Sequence, residues 1–147
     1  MPLKVQRLRR LALDGGRGLR VPISQRSAVA REVLVVDDDF STREALTDLL
    51  QDRGYSVISA ADGREALNYL RDSSAPGIII LDLMMPVMNG WEFLERQSHD
   101  PALLDIPVIV VTATPPRNPL RAKAVLQKPI QFESLVEMLK RFLPAAP

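Results

Sequence analysis

Acidic, hydroxyl and ammonium side chains follow four short apolar segments of this 147-residue sequence, each at the point where its segment ends. The residues concerned are Asp37 with Asp38, Asp82, Thr112 and Lys128. Carboxylates that approach one another without a counter-ion repel, so at least one pKa must rise unless a cation binds. Mg²⁺ suits such a group because it takes few carboxylates and keeps waters that a phosphate can replace.

The other two side chains extend this chemistry. The Lys128 ammonium is a compact cation able to contact a phosphoryl oxygen, and the Thr112 hydroxyl can donate a hydrogen bond to another. An aspartate that faces an incoming phosphoryl group, with a metal and a lysine neutralising charge, is a site for phosphoryl transfer. The residue types therefore predict transfer of a phosphoryl group to an aspartate.

The elements that must position these side chains alternate along the chain. Short apolar runs rich in β-branched residues predict strands at 33–36, 55–60, 78–81, 108–111 and 124–127. Helical patterns lie between them, and 132–143 closes the chain. Nearly all-apolar strands that alternate with helices predict a doubly wound parallel sheet, an α/β fold covered on both faces. Ligands bind at the carboxyl ends of such strands, where the polar residues fall.

Capping patterns mark where three of the helices are expected to begin. An Asp, Ser or Asn that is followed three residues later by Glu is typical of a helix N-terminus. These pairs are Ser41 with Glu44, Asp62 with Glu65, and Asn89 with Glu92.

Composition excludes several classes of protein. The sequence has no cysteine, which rules out disulfides and thiolate chemistry, and its single histidine argues against a zinc site. Hydrophobic residues make up 46% and charged residues 25%, as in ordinary globular domains. Because no apolar run is long enough to cross a membrane, we expect a cytoplasmic protein without a membrane partner.

Charge divides the chain into two parts. Residues 1–31 carry eight basic residues and one acidic residue, a net charge of +7, whereas residues 32–147 carry eleven basic and seventeen acidic residues, a net charge of −6. We predict a disordered basic arm over 1–31 and one domain over 32–147. The arm is either a leader without function or a weak contact for nucleic acid or an acidic surface.

Four motifs in this order resemble the receiver domain of two-component response regulators. They are Val-Val-Asp-Asp at 35–38, Leu-Asp-Leu-Met-Met-Pro-Val-Met-Asn-Gly at 81–90, Val-Val-Thr-Ala at 110–113 and Lys-Pro at 128–129. The resemblance covers about residues 32–143. It implies a flavodoxin-like, five-stranded sheet in the order 2-1-3-4-5, similar to a single-domain chemotaxis regulator.

The resemblance also implies roles for the phosphoryl-handling residues. Asp82 would accept a phosphoryl group from a histidine kinase or a histidine phosphotransfer protein, and an unknown downstream protein would sense the change. Lys128 would hold the phosphoryl group, and Thr112 would swing towards it on activation. Pro86 and Gly90 would shape the loop after the acceptor.

The same resemblance implies a magnesium site. Asp38 and Asp82 would bind Mg²⁺ directly, with the backbone carbonyl of Met84 as a third protein ligand. Asp37 would act through a water molecule. Asp39 falls one place beyond the acidic pair and is expected to face solvent or cap a helix.

Two features depart from the family pattern. Family members usually place a helix between the threonine and the lysine, but here Pro115, Pro116 and Pro119 interrupt a short interval. We therefore expect that helix to be degenerate or missing. Val125 replaces the Tyr or Phe that is common three places before the lysine. Because both belong to the face through which many relatives dimerise, we expect a monomer.

Three other functions remain to be weighed against a stand-alone signalling switch. A pseudo-receiver would keep the fold and bind partners without being phosphorylated. A haloacid-dehalogenase-type phosphatase would need an acid two places after the first aspartate, where this chain has Met84, so we do not expect an enzyme. A nucleic-acid binder would act through 1–31 alone, and its binding would depend steeply on salt.

Overall fold

The structure is a computed structural model that describes residues 32–143, so the predicted arm over 1–31 lies outside the described residues. Its strands are β1 (Glu32–Val36), β2 (Ser56–Ala60), β3 (Ile78–Asp82), β4 (Val108–Thr112) and β5 (Ala124–Gln127). Its helices are α1 (Phe40–Asp52), α2 (Gly63–Asp72), α3 (Gly90–Ser98) and α4 (Phe132–Phe142). Within the described range no helix is long and apolar enough to span a membrane.

The five strands form one parallel sheet in the order β2-β1-β3-β4-β5. This confirms the predicted order and places β3 at the centre, while β2 and β5 form the two edges. In the register of β1 with β3, Val36 lies opposite Leu81. The residues that follow them, Asp37 and Asp82, therefore emerge side by side at the carboxyl edge.

Apolar side chains cover the sheet on both faces. One cluster packs Leu34, Ile79 and Val110 against Leu67 and Phe93 of the helices α2 and α3. The other packs residues on the opposite face of the same strands against α1 and α4. Since each central strand is buried on both faces, its apolar run is continuous rather than alternating.

The helix starts agree with the sequence prediction at two positions and differ at one. Asn89 and Glu92 form the predicted capping box, and Asp62 caps α2. The predicted cap at Ser41 is wrong, because α1 begins at Phe40 and Asp39 accepts the hydrogen bond from the Thr42 amide. The acidic run after β1 thus supplies the cap two residues closer to the sheet.

The connection between β4 and β5 contains no helix, as the three prolines predicted. Residues 113–123 form bends instead, and Leu120 and Ala122 pack against the first core cluster. The Lys123 amide donates to the Val108 carbonyl at 2.8 Å and brings the chain back to the sheet. Leu120 and Ala122, both partly buried, thus pack on the core from an irregular segment rather than from a helix.

Candidate functional site

Three carboxylates meet at the carboxyl edge of the sheet. One oxygen each from Asp37, Asp38 and Asp82 lies within 4.8 Å of the others. Asp37 and Asp82 are buried, whereas Asp38 is exposed to solvent. The parallel register of β1 with β3 produces this arrangement, because it aligns the ends of two strands that are 45 residues apart in sequence numbering.

Lys128 bridges the two buried carboxylates. Its Nζ lies 2.9 Å from Asp37 Oδ2 and 3.6 Å from Asp82 Oδ2. Burial alone would lower the pKa of Lys128, but the hydrogen bond to Asp37 and the charges of Asp37 and Asp82 raise it above the usual lysine value. The ammonium group is therefore firmly protonated between the two acids. The Lys128–Pro129 peptide bond that follows it is cis.

Asp37 is committed to contacts within the protein. Besides Lys128, its Oδ1 accepts a hydrogen bond from the Asp39 amide at 2.9 Å, and its backbone carbonyl accepts one from Arg43 at 2.6 Å. Sequence reasoning did not single out Arg43, whose position one turn into α1 was the available signal. Asp38 forms no hydrogen bond or ion pair within residues 32–143. Of the neighbouring pair, Asp38 is the carboxylate free to take a ligand.

Asp82 ends the central strand with its side chain almost fully buried. Burial raises the pKa of Asp82 above its ordinary value, and the nearby charges of Asp37 and Asp38 add to that, while Lys128 and the Met84 amide oppose it. The Met84 amide lies 3.3 Å from Asp82 Oδ1. Asp82 is thus a carboxylate whose negative charge is costly in this site until more positive charge arrives.

Thr112 is buried at the end of β4, but its hydroxyl is engaged locally. Its Oγ1 donates to the Thr114 carbonyl at 3.0 Å and accepts from the Thr114 amide at 3.3 Å. The Thr112 carbonyl accepts from the Lys128 amide at 2.8 Å, which ties the ends of β4 and β5 together. The structure therefore places Thr112 at the correct edge, with its hydroxyl bonded to the segment that follows.

The loop after Asp82 has two unusual positions. A Cβ on Gly90 would lie 2.6 Å from the Asp82 carbonyl oxygen, so only glycine allows α3 to begin this close to the strand end. Val87 has a φ of 68°, and the Met88 amide donates across it to the Pro86 carbonyl at 2.7 Å. This is a tight three-residue turn, which is strained for a β-branched residue. Sequence reasoning missed Val87.

The carboxylate cluster fits a hard divalent cation. Three carboxylate oxygens converge, and one of them belongs to the exposed side chain of Asp38, where solvent can supply the waters that Mg²⁺ keeps. Burial first, and then the charge of Asp37, raise the pKa of Asp82, and the single positive charge of Lys128 only partly opposes this. The structure thus brings the carboxylates of Asp37, Asp38 and Asp82 together. The role of the Met84 backbone carbonyl as a metal ligand stays a prediction.

A model of the response regulator receiver domain family matches residues 33–140. Among curated relatives, the polar-differentiation response regulator DivK of Brucella ovis is 29% identical over 121 residues, covering 78% of this chain and 98% of DivK. The response regulator MprA of Mycolicibacterium vanbaalenii is 37% identical over 122 residues, covering 76% of this chain and 49% of MprA. The chain spans between about a third and a half of the first curated relatives it matches.

Solved structures give the same result. The chemotaxis protein CheY4 of Vibrio cholerae has a TM-score of 0.70 and 37% identity, and the match covers 76% of this chain and 98% of CheY4. The response regulator TrrA of Thermotoga maritima, solved in complex with Mg²⁺ and BeF, has a TM-score of 0.69 and 32% identity, with 76% and 98% covered.

Proposed function

The chain belongs to the response regulator receiver domain family, and we propose that within it Asp82 accepts a phosphoryl group from a phosphohistidine donor. One observation carries this assignment. The Asp82 carboxylate ends the central strand, within 4.8 Å of two further carboxylates and 3.6 Å from the Lys128 ammonium. Receiver domains act in two-component signalling, so the product would be a signal rather than a released metabolite.

The transfer requires one bond to form and one to break. An Asp82 carboxylate oxygen attacks phosphorus, the bond from phosphorus to the donor imidazole nitrogen breaks, and the imidazole keeps the electron pair and takes a proton. The product is an acyl phosphate on Asp82. Catalysis of such a step depends on positioning and on charge neutralisation.

Mg²⁺, held by Asp38, Asp82 and the Met84 carbonyl, would supply positive charge beside the transferring group. Asp37 would act through a water molecule, because both of its oxygens already accept hydrogen bonds from Lys128 and the Asp39 amide. Lys128 would then turn from Asp37 towards a phosphoryl oxygen. This exchange would keep the Lys128 ammonium paired throughout, and the Mg²⁺-bound water would take its place at the buried Asp37 carboxylate.

Thr112 would report the phosphorylated state. For its hydroxyl to donate to a phosphoryl oxygen, the hydrogen bond to the Thr114 carbonyl must break. The change at Asp82 would thereby reach residues 113–123. We propose a histidine kinase or a histidine phosphotransfer protein as donor and an unidentified protein as downstream partner, both in the cytoplasm.

The decisive experiment is intact-mass spectrometry after incubation with acetyl phosphate and Mg²⁺. The wild-type chain should gain one phosphoryl group, Asp82→Asn should gain none, and the exposed control Asp105→Asn should label like wild type. Undiminished labelling of Asp82→Asn would move the acceptor elsewhere. A wild-type chain that never labels would support a phosphorylation-independent binding module instead.

A further inference from the structure

A cavity of about 310 Å³ lies at the amino edge of the sheet, at the other end of the strands from Asp82. We call it the amino-edge cavity. It lies between the second half of α3, the loop that leads into β4, and the segment just before β5. Its volume is at the lower end of the range for sites that bind small molecules. All three elements contribute apolar side chains to its lining, namely Leu94, Ile106, Val108 and Leu120.

Gln97 places a polar atom within this apolar lining. Its side chain is buried, and Nε2 donates to the Leu103 and Ile106 carbonyls at 3.0 and 2.9 Å, which uses both hydrogens of the amide. Oε1 accepts no hydrogen bond within residues 32–143. In that range the only fully buried side-chain polar atom without a partner is Ser73 Oγ, so Oε1 of Gln97 reaches accessible space. Because Gln97 lines the amino-edge cavity, this acceptor is available to a ligand there.

Charged groups of both signs also line the amino-edge cavity. Arg121 and Lys123 come from the segment before β5, and Asp105 comes from the loop before β4. All three side chains are exposed, and none forms an ion pair within the described part of the chain. The carboxylate therefore lies beyond ion-pair distance from both cations. A ligand with one positive and one negative group has a partner for each.

We propose that the amino-edge cavity binds a free α-amino acid with an apolar side chain. The ligand carboxylate pairs with Arg121 and Lys123, and the ligand ammonium donates to Asp105 and to Gln97 Oε1. The ligand side chain packs on the apolar lining and leaves water. A zwitterion of this kind matches every group that the cavity offers.

Other small molecules match fewer of these groups. A phosphate or a nucleotide would bring several negative charges towards the Asp105 carboxylate, where two cations and one anion leave only one net positive charge. An amine without a carboxylate would face the two cations without a partner for them. A hydrocarbon would cover Gln97 Oε1 without giving it a hydrogen bond, which costs free energy.

The amino-edge cavity is separate from the site proposed for phosphoryl transfer. Neither the carboxylate cluster nor Thr112 or Lys128 contributes to its lining. Binding of an amino acid therefore does not require phosphorylation of Asp82. The proposal succeeds or fails independently of the function proposed above.

The test is NMR titration of the ¹⁵N-labelled full chain, without phosphodonor, using L-leucine and L-phenylalanine up to millimolar concentration. We expect saturable shifts of backbone amides within 94–108 and 120–123, and of the Gln97 side-chain amide. Three analogues each lack one group of leucine: leucinamide lacks the carboxylate, 4-methylpentanoate lacks the ammonium, and glycine lacks the side chain. Each should bind about tenfold more weakly than leucine, or worse.

Variants of the exposed charges assign each contact. Arg121→Gln combined with Lys123→Gln should weaken leucine binding about tenfold and reduce its advantage over leucinamide. Asp105→Asn should reduce the advantage of leucine over 4-methylpentanoate in the same way.

Matched control variants carry the same changes at exposed positions outside the cavity. Arg64→Gln combined with Arg71→Gln on α2, and Asp48→Asn on α1, should bind leucine like wild type.

Four outcomes would overturn the proposal. With neither amino acid shifting the signals of 94–108 and 120–123 saturably, the cavity would not be an amino acid site. Equal affinities for leucine and glycine would show that the lining holds no side chain. Equal affinities for leucine, leucinamide and 4-methylpentanoate would show that the charges recognise nothing. Tighter binding of inorganic phosphate at the same amides would make the cavity a site for anions.

Discussion

The ammonium group of Lys128 lies 2.9 Å from Asp37, closer than the 3.6 Å that separates it from Asp82. The lysine therefore neutralises one buried carboxylate and only partly screens the proposed acceptor. Burial and the acidic neighbours of Asp82 raise its pKa, and Lys128 opposes this only in part. In this state the carboxylates of Asp37, Asp38 and Asp82 repel one another. A divalent cation, or a phosphoryl group with its metal, would relieve this repulsion.

The first prediction concerns that lysine. Lys128→Met should lower the free energy of unfolding by about 1–3 kcal/mol in EDTA, because the buried Asp37 carboxylate loses its charged partner. Saturating Mg²⁺ should restore part of the loss. Urea unfolding with and without Mg²⁺ measures both effects, with the exposed Lys140→Met as control. A variant as stable as wild type in EDTA would show that the ion pair contributes nothing.

The second prediction separates the two adjacent acids. Asp38 is exposed and free, whereas both Asp37 oxygens accept hydrogen bonds within the protein. Asp38→Ala should therefore weaken Mg²⁺ binding more than Asp37→Ala, as measured by calorimetric titration. Asp48→Ala on the surface of α1 should bind like wild type. Unchanged affinity in Asp38→Ala would refute the ligand assignment.

The third prediction uses the strained turn at Val87. The side chain is 68% exposed, so it gains little packing in return for its φ of 68°. Val87→Asn should raise the free energy of unfolding by about 1 kcal/mol, because asparagine tolerates positive φ better than a β-branched residue. Val125→Asn, at another exposed valine without positive φ, should not stabilise. Destabilisation by Val87→Asn would show that the turn depends on the valine.

The fourth prediction concerns pH. Burial raises the pKa of Glu32 from 4.5 to about 6, partly offset by the hydrogen bond from the Tyr69 hydroxyl at 2.8 Å. The folded state holds this proton more tightly than the unfolded state. Stability from protonated Glu32 is therefore complete below pH 4.5 and lost as the pH rises through about 6.

Glu32→Gln should remove that dependence. At pH 7 it should raise the free energy of unfolding by up to about 2 kcal/mol, and below pH 4.5 it should differ little from wild type. Urea unfolding between pH 4 and pH 8 measures the difference, with exposed Glu137→Gln as control. A gain that is the same at every pH would argue against titration of Glu32.

The fifth prediction concerns assembly. Residues 113–123 form no helix, and Val125 replaces the aromatic residue expected from the family, so the face used for dimerisation by many relatives is incomplete. With Mg²⁺ and beryllofluoride, the protein should remain monomeric at micromolar concentration in sedimentation velocity. A dimer that Lys140→Glu or Arg141→Glu dissociates would show that the usual face still works.

Sequence alone determined the fold class, the strand order through the family resemblance, and the edge at which the site lies. Continuous apolar runs such as 78–81 and 108–111 predict buried strands from the local sequence alone, because a strand that is buried on both faces is apolar at nearly every position. Asp82, Thr112 and Lys128 follow such runs, and parallel strands bring their carboxyl ends to one edge. The prolines at 115, 116 and 119 likewise excluded a helix by local sterics.

Tertiary structure decided what each of these groups contacts. Lys128 and Asp37 are 91 residues apart in sequence, and Glu32 and Tyr69 are 37 residues apart. No local sequence pattern therefore predicts either contact. The hydroxyl of Thr112 is bonded to Thr114 because of how the chain turns after β4. The distances between such groups depend on how elements that are remote in sequence pack together. Those distances set the pKa values of the side chains and their capacity to bind a metal or a phosphoryl group.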